Sequence, residues 1–282
     1  MPSTQRVLSV IFQLLALLLL SAILPSCHPR IALAPIPIQT FDLPPQHKLV
    51  IQLDRASLEL VGHDETYLSI SGSSSDPDMS ITFIPLEDAL TSQLQLGAID
   101  QTDAIESVLR VQIPHETQIT LIQASGDIYA HDIQAQLFVE SISASIRIER
   151  LSGFLRAESR RGKVQVIDSH GEIHALAEAD EISLSNLRGQ ITATNIMGNI
   201  NFSGMITSGD TANFESDHGA VHVKLEPESA AQISITSAGG RIVCTLPGMS
   251  GMFESCEGQL GTAGGSLNIR TVSGAVRLDQ MP

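Results

Sequence analysis

The chain of 282 residues contains no tryptophan, two tyrosines and eight phenylalanines, so aromatics make up only 4% of it. Cations are scarce as well: 16 Lys and Arg stand against 31 Asp and Glu, a formal net charge of −15. Nucleic-acid binding needs cations to neutralise phosphates and aromatic platforms to stack bases. A nucleic-acid partner is therefore not expected. Catalytic signatures are missing too, since there is no GxSxG elbow, no phosphate-binding loop, no GxGxxG and no CxxC. Asp76-Pro77-Asp78 supplies two carboxylates in an expected loop, where such a pair is usually just solvated. These absences predict a chain that is not an enzyme and carries no cofactor.

Metal ligation is not expected either. His170 to His174 and His218 to His222 share the form HGxxH, but residues four apart on a strand stand about 13 Å apart, too far to chelate one ion. The helical HExxH logic does not transfer, and the GGxGxD aspartates of a calcium-binding nonapeptide roll are lacking.

What is present is a nine-residue phrase that opens at Gly126, Ala135, Ala144, Gly153, Gly162, Gly171, Asp180, Gly189 and Gly198. Its third slot is always branched and apolar, from Ile128 to Ile200, and its fifth is always apolar, from Ala130 to Phe202. The slot between them is mostly polar, which is the period-two alternation of a strand with one face buried. Each unit reads as one short strand and a turn. So short a unit buries its apolar face only by stacking on its neighbours.

Slot five also alternates in size, running Ala157, Val166, Ala175, Leu184, Ala193, Phe202. Two units per coil place the alanines in one column and the larger residues in the facing one, a complementary filling of a thin core. A three-sided coil of three units is the alternative. The predicted fold class is thus all-β: a single-stack β-solenoid, parallel β-helix or roll-like, built from nine-residue strand-turn units with about two units per coil. Past Gly204 the phase breaks and returns at Gly219, Ala231, Gly240, Gly265 and Gly274, and the spacings of 21 and 25 residues are read as loop insertions such as the Glu226–Ser229 corner. Counting weak copies near Thr211 and Gly251, about sixteen strands in about eight coils give a rod of roughly 40 Å at ~4.8 Å per coil.

The N-terminus reads as an export signal: Arg6, an apolar run from Val7 to Leu24, then Leu24-Pro25-Ser26-Cys27. It is similar to a bacterial lipoprotein signal, with Cys27 as the lipidation site; an uncleaved membrane anchor and a secreted chain are the alternatives. The expected organisation is residues 1–26 signal peptide, 27–46 Pro-rich tether, 47–125 an N-terminal β region that caps or starts the solenoid, and 126–282 the regular solenoid. Within 47–125 the strand candidates are 48–53, 58–61, 67–71, 81–84 and 108–113, and Pro85 to Gly97 is spaced for a turn or two of helix.

Against the acidic background, Arg147, Arg150, Arg156, Arg160, Arg161 and Lys163 form a basic belt that could take an anionic ligand. Glu140, Glu149 and Glu158, which recur in slot six, could equally neutralise it. Cys244 and Cys256, an even pair once Cys27 is set aside, are either a disulfide or simply buried thiols.

A segment closing on Val111-Gln112-Ile113-Pro114, then Ile119 to Ile128, many G-x-I-x-V rungs and a final Thr271 to Leu278 resemble the adhesin-type DUF4097 family over about residues 47–280. The resemblance implies a bacterial envelope β-solenoid and adhesion, with no catalytic residues to carry across. The chain departs from the commoner SGDI wording with RGK, HGE, MGN and HGA, which alters surface chemistry alone. The expected function is a non-enzymatic, extracytoplasmic, lipid-anchored module acting by surface contact with a glycan or an envelope protein. A self-assembling structural envelope protein and a polysaccharide-acting β-helix enzyme are the rivals.

Overall fold

Short runs in which every second residue is apolar, punctuated by Gly, Asn or Asp, bury one face most simply as strands. The computed structural model describes residues 33–44, 46–76, 79–86, 90–97, 107–247, 249–253, 255–262 and 264–282, and among these every regular element is a strand. The export segment and Cys27 lie outside the described residues. In chain order the strands are β1 (Ala34–Asp42), β2 (Lys48–Arg55), β3 (Ser57–His63), β4 (Tyr67–Ser74), β5 (Ser80–Pro85), β6 (Thr91–Gly97), β7 (Ser107–Pro114), β8 (Gln118–Ser125), β9 (Ile128–His131), β10 (Gln136–Ser141), β11 (Ile146–Glu149), β12 (Ser152–Ser159) and β13 (Val164–Ile167). They continue as β14 (His170–Ala177), β15 (Ile182–Ser185), β16 (Arg188–Asn195), β17 (Ile200–Gly204), β18 (Thr211–Ser216), β19 (Val221–Leu225), β20 (Ala231–Ser237), β21 (Ile242–Leu246), β22 (Met249–Phe253), β23 (Ser255–Leu260), β24 (Gly265–Thr271) and β25 (Val276–Gln280).

Two sheets result. The first has 13 strands in the order β1-β4-β7-β3-β9-β11-β13-β15-β17-β19-β25-β21-β22, and the second has 12 in the order β23-β20-β24-β18-β16-β14-β12-β10-β8-β2-β6-β5. From β8 to β19 the chain alternates between them, and each strand up to β17 pairs in parallel with the strand two later. Leu137 stands opposite Leu155 and Ile146 opposite Val164, the eighteen-residue offset also seen in the Asp132–Arg150 contact. This leaves no third strand per coil over the stretch.

In-register stacking turns each slot into a column. Ala157, Ala175 and Ala193 align on one sheet, and Val166, Leu184 and Phe202 align on the other. At the next coil the sizes exchange, Phe214 following Ala193 and Val223 following Phe202. The Phe202 and Phe214 rings meet at 5.3 Å between centroids, both buried.

Both ends depart from simple winding. At the C-terminal end β20 and β21 skip one coil position, β22 and β23 fold back antiparallel on β21 and β20, and β24 and β25 then fill the vacancy beside β18 and β19. At the other end β6 and β7 lie outside β2 and β3, and β5 and β4 close the stack antiparallel. The 25-residue spacing therefore holds an antiparallel hairpin with β22 at the weak copy near Gly251, β18 begins at the one near Thr211, and β9 to β25 make seventeen strands where about sixteen are expected. The helical reading of Pro85 to Gly97 is corrected, since Thr91–Gly97 is β6 and Leu94 is fully buried in it. So is the tether: Ala34–Asp42 pairs with β4 despite Pro35 and Pro37, because an edge strand does not need every N–H.

The corners bring backbones unusually close. A Cβ on Gly171, at φ +128, would lie 1.9 Å from the Gly153 carbonyl oxygen, and one on Gly219 would lie 1.7 Å from that of Gly198. Beside one column of corners runs a row of buried and half-buried polar side chains. Ser141, Ser159, Asn195, Ser216 and Ser237 each accept the backbone N–H three residues on, at 2.7–3.0 Å. Each thus satisfies a donor that the turn removes from water.

Gly171→Ala is expected to lose about 2–4 kcal/mol, because backbone must move. Gly209→Ala, at φ +89 with no atom within 4 Å of the new carbon, is expected to lose about 1–2 kcal/mol from backbone strain alone. Urea unfolding of both variants checks this, and equal losses would contradict the crowding at residue 171.

Candidate interaction surface

The outward slots also align into rows. On the 13-stranded sheet one row reads Arg110, Glu59, Tyr129, Arg147, Gln165, Ser183, Asn201, His222, Arg277. Its first half is charged, and a network forms there with the next row. Arg110 pairs with Glu59 at 3.3 Å, Glu59 lies 3.3 Å from His131 Nε2, and His131 Nδ1 lies 2.6 Å from Asp132. Arg150 clamps Asp132 with two hydrogen bonds of 2.6 and 2.9 Å and also reaches Glu149. Glu149 accepts from the Tyr129 hydroxyl at 2.7 Å and pairs with Arg147.

The clamp sits on a row of strained corners. Asp132, Arg150, Asp168 and Asn186 all have φ between 49 and 58°, and three of the four are Asp or Asn, which tolerate this region best. Arg150 is the exception, and its contacts to Asp132 hold it there. The Arg150 guanidinium, then His131, keep the Asp132 carboxyl well below the usual carboxylate range despite partial burial. Tyr129, then Arg147, lower Glu149, and the same hydrogen bond raises Tyr129.

The basic belt is thus distributed and largely compensated. Arg147 and Arg150 lie on the 13-stranded sheet's side. Arg156, on the 12-stranded sheet, pairs with Glu158 at 2.5 Å; Lys163 pairs with Glu181 at 2.8 Å, and Arg160 comes within 3.9 Å of Glu178. Arg161 makes no ion pair among the described residues. Glu149 and Glu158 act as the neutralising acids that their spacing suggested. His170 contacts Ser152, His174 contacts Glu172 and His218 contacts Ser273, so the HGxxH histidines belong to separate local pairs.

The 12-stranded sheet presents a different outer face. Phe138, Arg156, His174, Thr192, Asn213 and Asn268 form one row, flanked by Phe154, Glu172 and Gln190. Phe138, Phe154 and His174 make a continuous ring contact, with centroids 5.1 and 5.6 Å apart. Shallow grooves lie along this face. One of about 340 Å³ is lined by Phe154, Arg156, His174 and Thr192, and one of about 650 Å³ by Asp54, Ile122, Glu140 and Arg160. This row is bordered by Glu158 and Glu172. Sequence reading missed His131, Asp132 and Glu59, whose signal was the eighteen-residue interval between Asp132 and Arg150.

A two-sheet stack with aligned outward rows, capped at both ends, defines the class of protein; the family model for Toastrack DUF4097 domains matches residues 57–279. The chain belongs to that DUF4097 family. Among solved structures, a putative adhesin from Bacteroides fragilis is similar at 14% identity, covering 90% of this chain and 99% of that one, with a TM-score of 0.40. A putative adhesin from Parabacteroides distasonis is similar at 7% identity over 87% and 96% of the two chains, with a TM-score of 0.39. No curated protein matches the chain.

The lowered Asp132 and Glu149 carboxyls fix the sign of an acid response. A carboxyl held down in the folded state contributes stability above its unfolded pKa of about 4 and loses it as pH falls through the folded value. Unfolding free energy should therefore decline as pH drops below about 4–5, and Arg150→Ala should flatten that decline. Urea titrations at several pH values measure it; an unchanged slope in Arg150→Ala would contradict the clamp.

Proposed function

We propose that the chain is a non-enzymatic, extracytoplasmic surface-contact module, adhesin-like in action, whose docking surface is the outer face of the 12-stranded sheet. One observation carries this reading: the aromatic ladder Phe138–Phe154–His174 lies beside open grooves among hydroxyl, amide and paired charged groups. Rings and evenly spaced polar groups suit an extended glycan, whose sugars offer apolar faces to the one and hydroxyls to the other. The carboxylates Glu140, Glu158 and Glu172 and the net charge of −15 favour a neutral glycan over a polyanion. Nucleic acid is disfavoured on the same ground. The repeating unit of the scaffold is taken as the nine-residue strand-turn in a single stack, and multivalent weak contact along its rows replaces a pocket.

The address follows from the N-terminal signal, with lipid on Cys27 tying the module to a bacterial membrane or cell surface. End-to-end polymerisation is disfavoured by the antiparallel strands that close the stack and by Pro35 and Pro37 in β1. A polysaccharide-cleaving role is disfavoured because Glu158 is engaged by Arg156 and Glu172 by His174.

Glycan-array binding of the detergent-solubilised full chain tests the docking face. Phe154→Ala is expected to lower binding to neutral glycans at least about tenfold, the scale of one stacking contact, while Arg147→Glu on the opposite sheet leaves it unchanged. Full binding by Phe154→Ala, or loss only in Arg147→Glu, would sink this choice of face. For the anchor, Cys27→Ser should release the chain from the membrane fraction, and retention would argue for an uncleaved span.

A further inference from the structure

Toward the C-terminal end both slot-five columns reach a cysteine. On the 13-stranded sheet the column runs Val166, Leu184, Phe202, Val223, Leu278 and Cys244. On the 12-stranded sheet it runs Ala175, Ala193, Phe214, Ile269, Ile235 and Cys256. Branched or aromatic residues fill the neighbouring places, but here two thiols face each other across the core, 3.0 Å between sulfurs and both buried. The Cys244 thiol donates to the Cys256 sulfur.

We propose that Cys244 and Cys256 are a cross-linking site, joined as an inter-sheet disulfide that clamps the C-terminal cap before the last coil is inserted. The pair joins β21 to β23 within the unit β20–β23, whereas β24 and β25, later in the chain, must slide between that unit and β18 and β19. A clamped unit presents both faces of the vacancy as one preformed piece.

The chemistry is thiol–disulfide exchange with a disulfide-carrying oxidant. One cysteine thiolate attacks a sulfur of the oxidant and forms a mixed disulfide, releasing one oxidant thiol. The second cysteine then attacks the protein sulfur of that mixed disulfide and releases the other. Two protein thiols lose two hydrogens in total, and the oxidant is reduced to two thiols. In the closed cap neither sulfur is accessible, and burial, then the Cys256 contact, pushes the Cys244 thiol up to about 12. Exchange therefore belongs to the chain before closure, and the same burial afterwards shields the bond from reductants.

Refolding of the reduced full chain in detergent with glutathione disulfide tests this, followed by alkylation and non-reducing peptide mapping. The expected result is a linked Cys244–Cys256 peptide, formed at least tenfold faster during refolding than in folded reduced protein. The linked chain should also resist proteolysis of the 248–255 segment relative to both the reduced chain and the Cys244→Ala/Cys256→Ala double variant, which controls for lost packing. Separately alkylated cysteines after refolding, equal oxidation rates in folded and refolding chains, or unchanged digestion would each overturn the proposal. These outcomes do not depend on the docking face. Alkylation of the chain as drawn from cells answers the separate question of address, since the clamp persists only where disulfides do.

Discussion

Close approach of one corner backbone to the next is the constraint on which the structure rests. Parallel strands in register set the coil spacing at roughly 4.8 Å, and at Gly171 and Gly219 that spacing leaves no volume for a Cβ. Once corners are locked at this distance, every side chain stands directly above its counterpart, and the core becomes a set of columns. Column packing then selects residue size, as the exchange between alanines and Phe214 shows. Corner donors that the crowding excludes from water are met by the buried Ser and Asn row, so polar satisfaction and apolar packing share one geometry.

Much of this was legible from the chain. Slots three and five assign the buried faces of β9 to β17, and the small-large rhythm points to two units per coil, because burial and stacking are local consequences of spacing. The ends were not legible, for a physical reason. Strand order at an end depends on which coil position the chain skips, and no pattern within β20 or β24 records that β25 will lie between β19 and β21. A weak copy of the phrase near Gly251 marked β22, but nothing in it shows that the strand runs antiparallel to β21. Proline likewise argued against a strand at 34–42, yet an edge position tolerates it.

The outer faces show how one scaffold separates two kinds of surface. On the 13-stranded sheet, charges are spent on one another through Asp132, Arg150 and Glu149, which restrains strained corners and leaves little free charge. On the 12-stranded sheet, rings and uncharged polar groups lie open beside shallow grooves. The belt of cations seen in sequence splits between these faces because alternate units go to alternate sheets. Spacing identified both the cations and the acids that could neutralise them, and Arg147 pairs with Glu149 and Arg156 with Glu158.

Removal of whole units measures the register directly. Deleting residues 169–186 takes out β14 and β15 together and joins corners of equivalent position, so it should leave a cooperatively unfolding, strand-rich chain of lower stability. Deleting 169–177 alone removes one strand and sends every later unit to the opposite sheet, which should abolish cooperative unfolding. Circular dichroism with urea unfolding distinguishes the two, and equal tolerance of both deletions would contradict an eighteen-residue coil.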